Sequence, residues 1–176
     1  LLMRIIAFIL ILTSSNLISQ EIKRVDSEIS SISYSGKHFL HKWSAENKNI
    51  SGLIQIQNES ISNIGIVAKV SDFKSGNSSL DSNSLRVLDA LQFPNVIFKS
   101  TSVNQENGQI IFEGVMNFHG IEKNFSILAD VTQLNGMTQL SGKIIVSLTD
   151  FLVKRPSLLT RKIDDEINLE FDLYFK

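Results

Sequence analysis

The sequence predicts an all-β chain, an antiparallel eight-stranded barrel with one short helix inserted at about residues 80–92. Three observations carry this reading. Apolar residues recur at every second position over much of the chain, which is the period of a strand with one wet and one dry face. Asn107-Gly108 and Asn135-Gly136 each separate two such runs, and Asn-Gly is the strongest short hairpin signal because both residues tolerate positive φ. Only one segment changes to helical spacing.

In chain order, the first element stands apart. Arg4 precedes the apolar run Ile5-Ile6-Ala7-Phe8-Ile9-Leu10-Ile11-Leu12, and the stretch at 13–20 is small and polar. That is the layout of a signal peptide, and the run is shorter than the roughly 20 apolar residues a spanning helix needs. The expected division is therefore a signal peptide over 1–19 and a single barrel domain over 20–176. Strands are expected at 29–34, 50–56 and 64–70. Over 80–92 the residues Leu85, Leu88 and Leu91 fall on one helical stripe, with Asp81, Ser82 or Ser84 as N-cap and Pro94 as the stop. A strand at 96–103 follows.

Ile110, Phe112, Met116 and Phe118 then share a dry face, as do Phe125, Ile127, Ala129 and Val131, and next Leu140, Ile144, Val146 and Leu148. Gly114 and Gly142 interrupt two of these faces, which suggests bends or bulges where the sheet curls. In the last segment Ile167, Leu169, Phe171, Leu173 and Phe175 alternate with polar or amphipathic residues, a run well beyond the usual strand of about 5–6 residues. Consecutive hairpins favour a meander, and closing it into a barrel removes its exposed edges.

Composition narrows the function. The chain has 176 residues, 43% hydrophobic and 20% charged with a net charge of −1. That is enough apolar material for one packed domain and too little charge imbalance for a disordered chain. Without a long basic run there is no footprint for nucleic acid. The absence of Cys excludes disulfides, thiol nucleophiles and cysteine-held metal centres. His38 and His41 are three apart in an extended-looking segment and so point to opposite faces, and too few imidazoles remain for a zinc site. No cofactor is implied.

Asp164-Asp165-Glu166 reads as solvated acids paired with Arg161-Lys162 rather than as catalytic carboxylates. Neither a Gly-x-Ser-x-Gly elbow nor a nucleotide-binding glycine loop occurs, so no enzyme is expected. Lys154-Arg155-Pro156 and Arg161-Lys162 bracket Ser157-Leu158-Leu159-Thr160. This loop reads either as a solvated loop with its leucines tucked over the barrel end or as a lid touching membrane phosphates or a ligand head. Peripheral membrane contact and a homodimer are left open.

Several stretches together resemble the YceI-like family of exported β-barrels, similar in shape to lipocalins. Leu91-Gln92-Phe93-Pro94-Asn95-Val96-Ile97-Phe98-Lys99-Ser100 is similar to its helix end followed by Pro-x-Ile-x-Phe. Phe112-Glu113-Gly114-Val115-Met116-Asn117-Phe118-His119-Gly120-Ile121-Glu122-Lys123 resembles its strand, turn and strand. Leu140-Ser141-Gly142-Lys143, Thr149-Asp150-Phe151 and Asp164-Asp165-Glu166-Ile167 resemble its ending, and His41-Lys42-Trp43 is similar to a His-x-Trp variant of one branch. The likeness runs over nearly all of the mature chain. It implies a lipocalin-like barrel, periplasmic or secreted, that holds a long-chain lipid or polyisoprenoid-type amphiphile without chemistry of its own.

The residues agree with such a role. Phe98, Phe112, Met116, Phe118, Phe125, Ile127, Leu169, Phe171 and Leu173 are expected to line the lumen, where burial is worth about 0.8 kcal/mol per CH₂. His41 and Trp43, two apart on one strand, share a face and are expected at the mouth. The alternative is an envelope interaction module whose rings fill the barrel completely.

Overall fold

The computed structural model describes residues 20–38, 41–158 and 160–176, so the expected signal segment at 1–19 lies outside the described residues. Among these, the chain forms a curled antiparallel sheet of ten strands, a separate pair of two-residue strands and one α-helix. The strands are β1 (Gln20–Arg24), β2 (Ser31–His38), β3 (His41–Asn47), β4 (Ile50–Gln57), β5 (Ser60–Lys69), β6 (Asn95–Glu106), β7 (Gln109–Phe118), β8 (Ile121–Leu134), β9 (Met137–Ser147), β10 (Ser157–Leu158), β11 (Arg161–Lys162) and β12 (Glu166–Phe175). Helix α1 (Ser78–Val87) lies between β5 and β6, and 3₁₀ turns occupy Val70–Asp72 and Thr149–Phe151.

The sheet order is β1-β4-β5-β6-β7-β8-β9-β12-β2-β3, with β10 paired to β11. Its run from β4 to β9 is a meander, joined by two-residue turns whose residues both have positive φ: Asn58-Glu59, Asn107-Gly108, His119-Gly120 and Asn135-Gly136, with β5–β6 crossing through α1 instead. Both Asn-Gly hairpins stand where the sequence puts them. The curled sheet meets itself beside the end of β12. Arg24 and Lys176 exchange backbone hydrogen bonds of 2.9 Å, Asp26 N–H donates to the Tyr174 carbonyl at 2.7 Å, and Val25 N–H donates to Gly52 of β4 at 3.0 Å. The Lys176 ammonium reaches the Asp26 carboxylate at 2.6 Å, and this hydrogen bond holds Asp26 below the usual carboxylate range.

The expected count of eight strands is corrected to ten, because β1 and β3 escape the alternation rule. Gln20-Glu21-Ile22-Lys23-Arg24 has no dry face of its own and is recruited by backbone pairing with β4. His41-Lys42-Trp43-Ser44-Ala45-Glu46-Asn47 carries only two apolar residues and pairs on one side with β2. Its other edge is tethered where Glu46 and Lys74 exchange backbone bonds of 3.0 and 2.9 Å. The segment around His38 and His41 is therefore a hairpin that sets these two residues opposite each other, not one strand with them on opposite faces.

The helix is also shorter and earlier than expected. Its N-cap is Asn77, whose side chain accepts from the N–H groups of Ser79 and Leu80, so the caps expected at Asp81, Ser82 or Ser84 are displaced by a residue one turn upstream. It ends where Asp89 takes φ 44°, before Pro94 is reached. Leu85 and Leu88 face inward, but Leu91 falls beyond the helix and is fully exposed.

Of the two interrupting glycines, Gly114 sits opposite a register shift between Ser100 and Ser102 of β6, as a curling sheet requires. Gly142 marks no bulge. It pairs in unbroken register with Phe171, whose ring stands 2.7 Å from where a Cβ would be.

The alternating dry faces of the long strands point inward, Phe125 excepted. At the Asn-Gly end of the sheet Ile54, Ile110 and Phe175 are completely buried and close-packed. The other end, under α1, is hollow.

Candidate functional site

The hollow end holds a cavity of about 320 Å³, at the lower end of the roughly 300–1,000 Å³ typical of small-molecule sites. Its walls are the inward residues of the long strands. Phe98, Phe112, Met116, Phe118, Ile127, Leu169, Phe171 and Leu173 all border it. Phe125 does not: it is turned against Phe151 of the second 3₁₀ turn, ring centroids 6.0 Å apart and nearly parallel, and closes the wall from behind. Phe118 also touches Phe151, at 5.3 Å.

The roof comes from two segments. Helix α1 contributes Leu80, Ser84, Leu85 and Val87, and its C-cap Leu88 continues the same side. Leu85 and Leu88 of the expected leucine stripe thus border the cavity, and the spacing of Leu80 and Val87 extends the apolar face that Ser84 interrupts. The connection between β9 and β12 contributes Val153, Pro156 and Ile163. Arg155 braces it by donating to the Ile163 carbonyl at 3.0 Å.

Of the two residues expected at the mouth, Trp43 borders the cavity. It lies across from Gly36 in the β2–β3 register, where any Cβ would collide with its indole and with Ile167. The bare glycine is what lets the indole lie flat there. The side chain of His41 lies outside the described residues, and so do those of Leu158 and Leu159, for which the sequence left two readings.

Polar groups gather at the roofed end. Tyr34 Oη lies 3.4 Å from Ser84 Oγ, and burial, opposed by the Ser84 contact and reinforced by the charge of Asp81, raises its pKa. Asp81 accepts from the Ser75 hydroxyl at 2.6 Å and the Ser75 N–H at 2.9 Å, which hold it below the usual carboxylate range. His38, 3% exposed, borders the cavity with Nε2 3.3 Å from the Arg161 carbonyl.

Asp165 belongs to the architecture of the roof. Burial pushes its pKa up, but hydrogen bonds from the hydroxyls of Ser147 and Thr149, both 2.7 Å, and from Thr149 N–H at 3.0 Å outweigh it, with Arg155 Nε at 3.5 Å. The group is held below the ordinary range. Its cation is Arg155, not the Arg161-Lys162 pair that the sequence suggested, because the chain between them turns back through β10 and β11. A depressed folded-state pKa contributes stability that is full above the unfolded value of about 3.9 and is lost as pH falls through the folded one. Asp165→Asn is expected to flatten the acid limb. Urea midpoints of wild type and variant should converge as pH drops from about 5 to about 2, and parallel midpoint curves would contradict this role.

The model of the YceI-like domain matches residues 24–175. The fold is shared with the crystal structure of Burkholderia cenocepacia BcnA, at 17% identity and TM-score 0.77 over 85% of this chain and 98% of that one. A polyisoprenoid binding domain from Saccharophagus degradans implicated in plant cell wall breakdown superposes at TM-score 0.71 with 10% identity, covering 88% of this chain and 97% of that one. The Campylobacter jejuni YCEI protein gives 0.62 at 17% identity, over 73% and 81%. No curated protein matches the chain. With the domain match running from the end of β1 to the end of β12, and hence through every strand and helix that shapes the cavity, the chain belongs to the YceI-like family.

Proposed function

We propose that the protein is an exported carrier that holds the tail of a long-chain lipid or polyisoprenoid-type amphiphile in the cavity under α1, without catalysis. The observation that carries the reading is an apolar cavity bordered by Phe98, Phe112, Phe118 and Phe171 with its polar groups confined to one end. An amphiphile has the same polarity pattern. Family membership and the likeness to a polyisoprenoid binding domain support it.

A methylene occupies about the room of a water molecule, whose share of liquid is about 30 Å³, so the cavity takes on the order of ten tail carbons. At about 0.8 kcal/mol each this is about 8 kcal/mol of burial, set against association costs of about 4–15 kcal/mol. Only long tails bind well on these terms. The polar side chains at the roof are engaged structurally, Tyr34 with Ser84, Asp81 with Ser75 and His38 with the Arg161 carbonyl, which supports holding rather than turnover. Export rests on Arg4 followed by the apolar run from Ile5 to Leu12.

The test is a native mass spectrum of protein purified without delipidation and then again after exposure to lipid micelles. Release of a single long-chain lipid on activation is expected. A bare chain mass in both preparations would overturn the proposal.

A further inference from the structure

The β2–β3 hairpin and the connection between β9 and β12, which both border the cavity, carry a cluster of exposed cations. The stretches at 35–45 and 152–163 hold six of the chain's 17 Lys and Arg and none of its 18 Asp and Glu. These cations gather beside the cavity of a protein whose net charge is −1. Lys37 and Lys42 face each other across the β2–β3 register, and both are exposed. Lys154, Arg161 and Lys162 are exposed on the neighbouring connection. Two contacts hold the two stretches together: His38 Nε2 lies 3.3 Å from the Arg161 carbonyl, and just beyond the second stretch the Asp164 N–H donates to the Lys37 carbonyl at 3.0 Å.

Asp165 offsets the charge of Arg155, Asp81 keeps its own while it accepts from Ser75 inside the roof, and Asp150, Asp164 and Glu166 are exposed in or next to the same connection; the cations of the rim beyond Arg155 are Lys37, Lys42, Lys154, Arg161 and Lys162. The inner faces of the same stretches supply Trp43, Val153, Pro156 and Ile163 to the cavity.

We propose that this basic rim docks the protein on an anionic lipid surface, setting the roofed end of the cavity against the headgroups from which a lipid tail enters or leaves. Charge complementarity selects the partner, since each Lys or Arg near an anionic bilayer adds about a factor of five in partition and the attraction decays within a Debye length. The inference rests on the tail-binding reading for its purpose but not for its test.

The experiment is sedimentation of the purified chain with phosphatidylcholine vesicles, with and without phosphatidylglycerol, at low and high salt. Wild type is expected to sediment only with the phosphatidylglycerol vesicles and to be released by salt. Lys37→Gln/Lys42→Gln and Lys154→Gln/Lys162→Gln are each expected to lower the partition by about tenfold or more. Lys99→Gln/Lys143→Gln, which removes as many charges from other exposed positions, is expected to leave it unchanged. Circular dichroism checks that each variant is folded. Equal partition onto both vesicle types, or equal loss in the Lys99/Lys143 control, would overturn the docking. A chain that sediments with anionic vesicles yet never carries lipid in the mass spectrum would overturn the tail-binding reading and leave the docking standing.

Discussion

Replacing Ile144 and Leu169 together by Trp is expected to give a folded protein that retains no lipid. These residues are direct partners across β9 and β12, both half-buried and both on the cavity wall. Larger side chains there grow into empty space rather than into packed neighbours. The overpacking cost of about 1–3 kcal/mol seen in filled cores is therefore an upper bound. Two indoles take up a large share of a cavity of about 320 Å³ and replace the tail's burial with their own. The native mass spectrum after lipid exposure should show the bare chain, with thermal midpoint and circular dichroism close to wild type. Ile145→Trp, one residue along on the outer face and 58% exposed, is the matched control and should keep its lipid. Full lipid retention in the double variant would place the ligand elsewhere.

The long strands were legible because alternation is a direct consequence of putting one face of a sheet on a core. β7, β8, β9 and β12 have their dry faces where the residue pattern puts them, and with them most of the cavity wall. What the sequence concealed was made by pairing rather than by pattern. β1 is held by β4 and by the end of β12, and nothing in Gln20-Glu21-Ile22-Lys23-Arg24 marks it as a strand. The helix shifted because a good cap at Asn77 outcompeted later ones.

The choice between a filled and a hollow barrel was out of reach for a similar reason. The same residue types do both here, closing the core around Ile110 and Phe175 and lining a cavity around Phe98 and Phe171. Local volume, not composition, decides between them. Phe125 shows the limit: its alternation is that of its neighbours, and only the Phe151 ring, from a turn twenty-six residues on by sequence number, draws it away from the lumen.

Trp43 gives the most direct measurement, because it is the one Trp of the chain and it borders the cavity. A titration of delipidated protein with single-chain amphiphiles of one headgroup and increasing tail length reads the site through its emission. The tail-holding account expects a change in Trp43 emission on binding and an affinity that rises about fourfold with each added methylene. The rise should stop once the cavity is full, at on the order of ten carbons. Affinity that is indifferent to tail length, or a Trp43 signal that never responds, would contradict it.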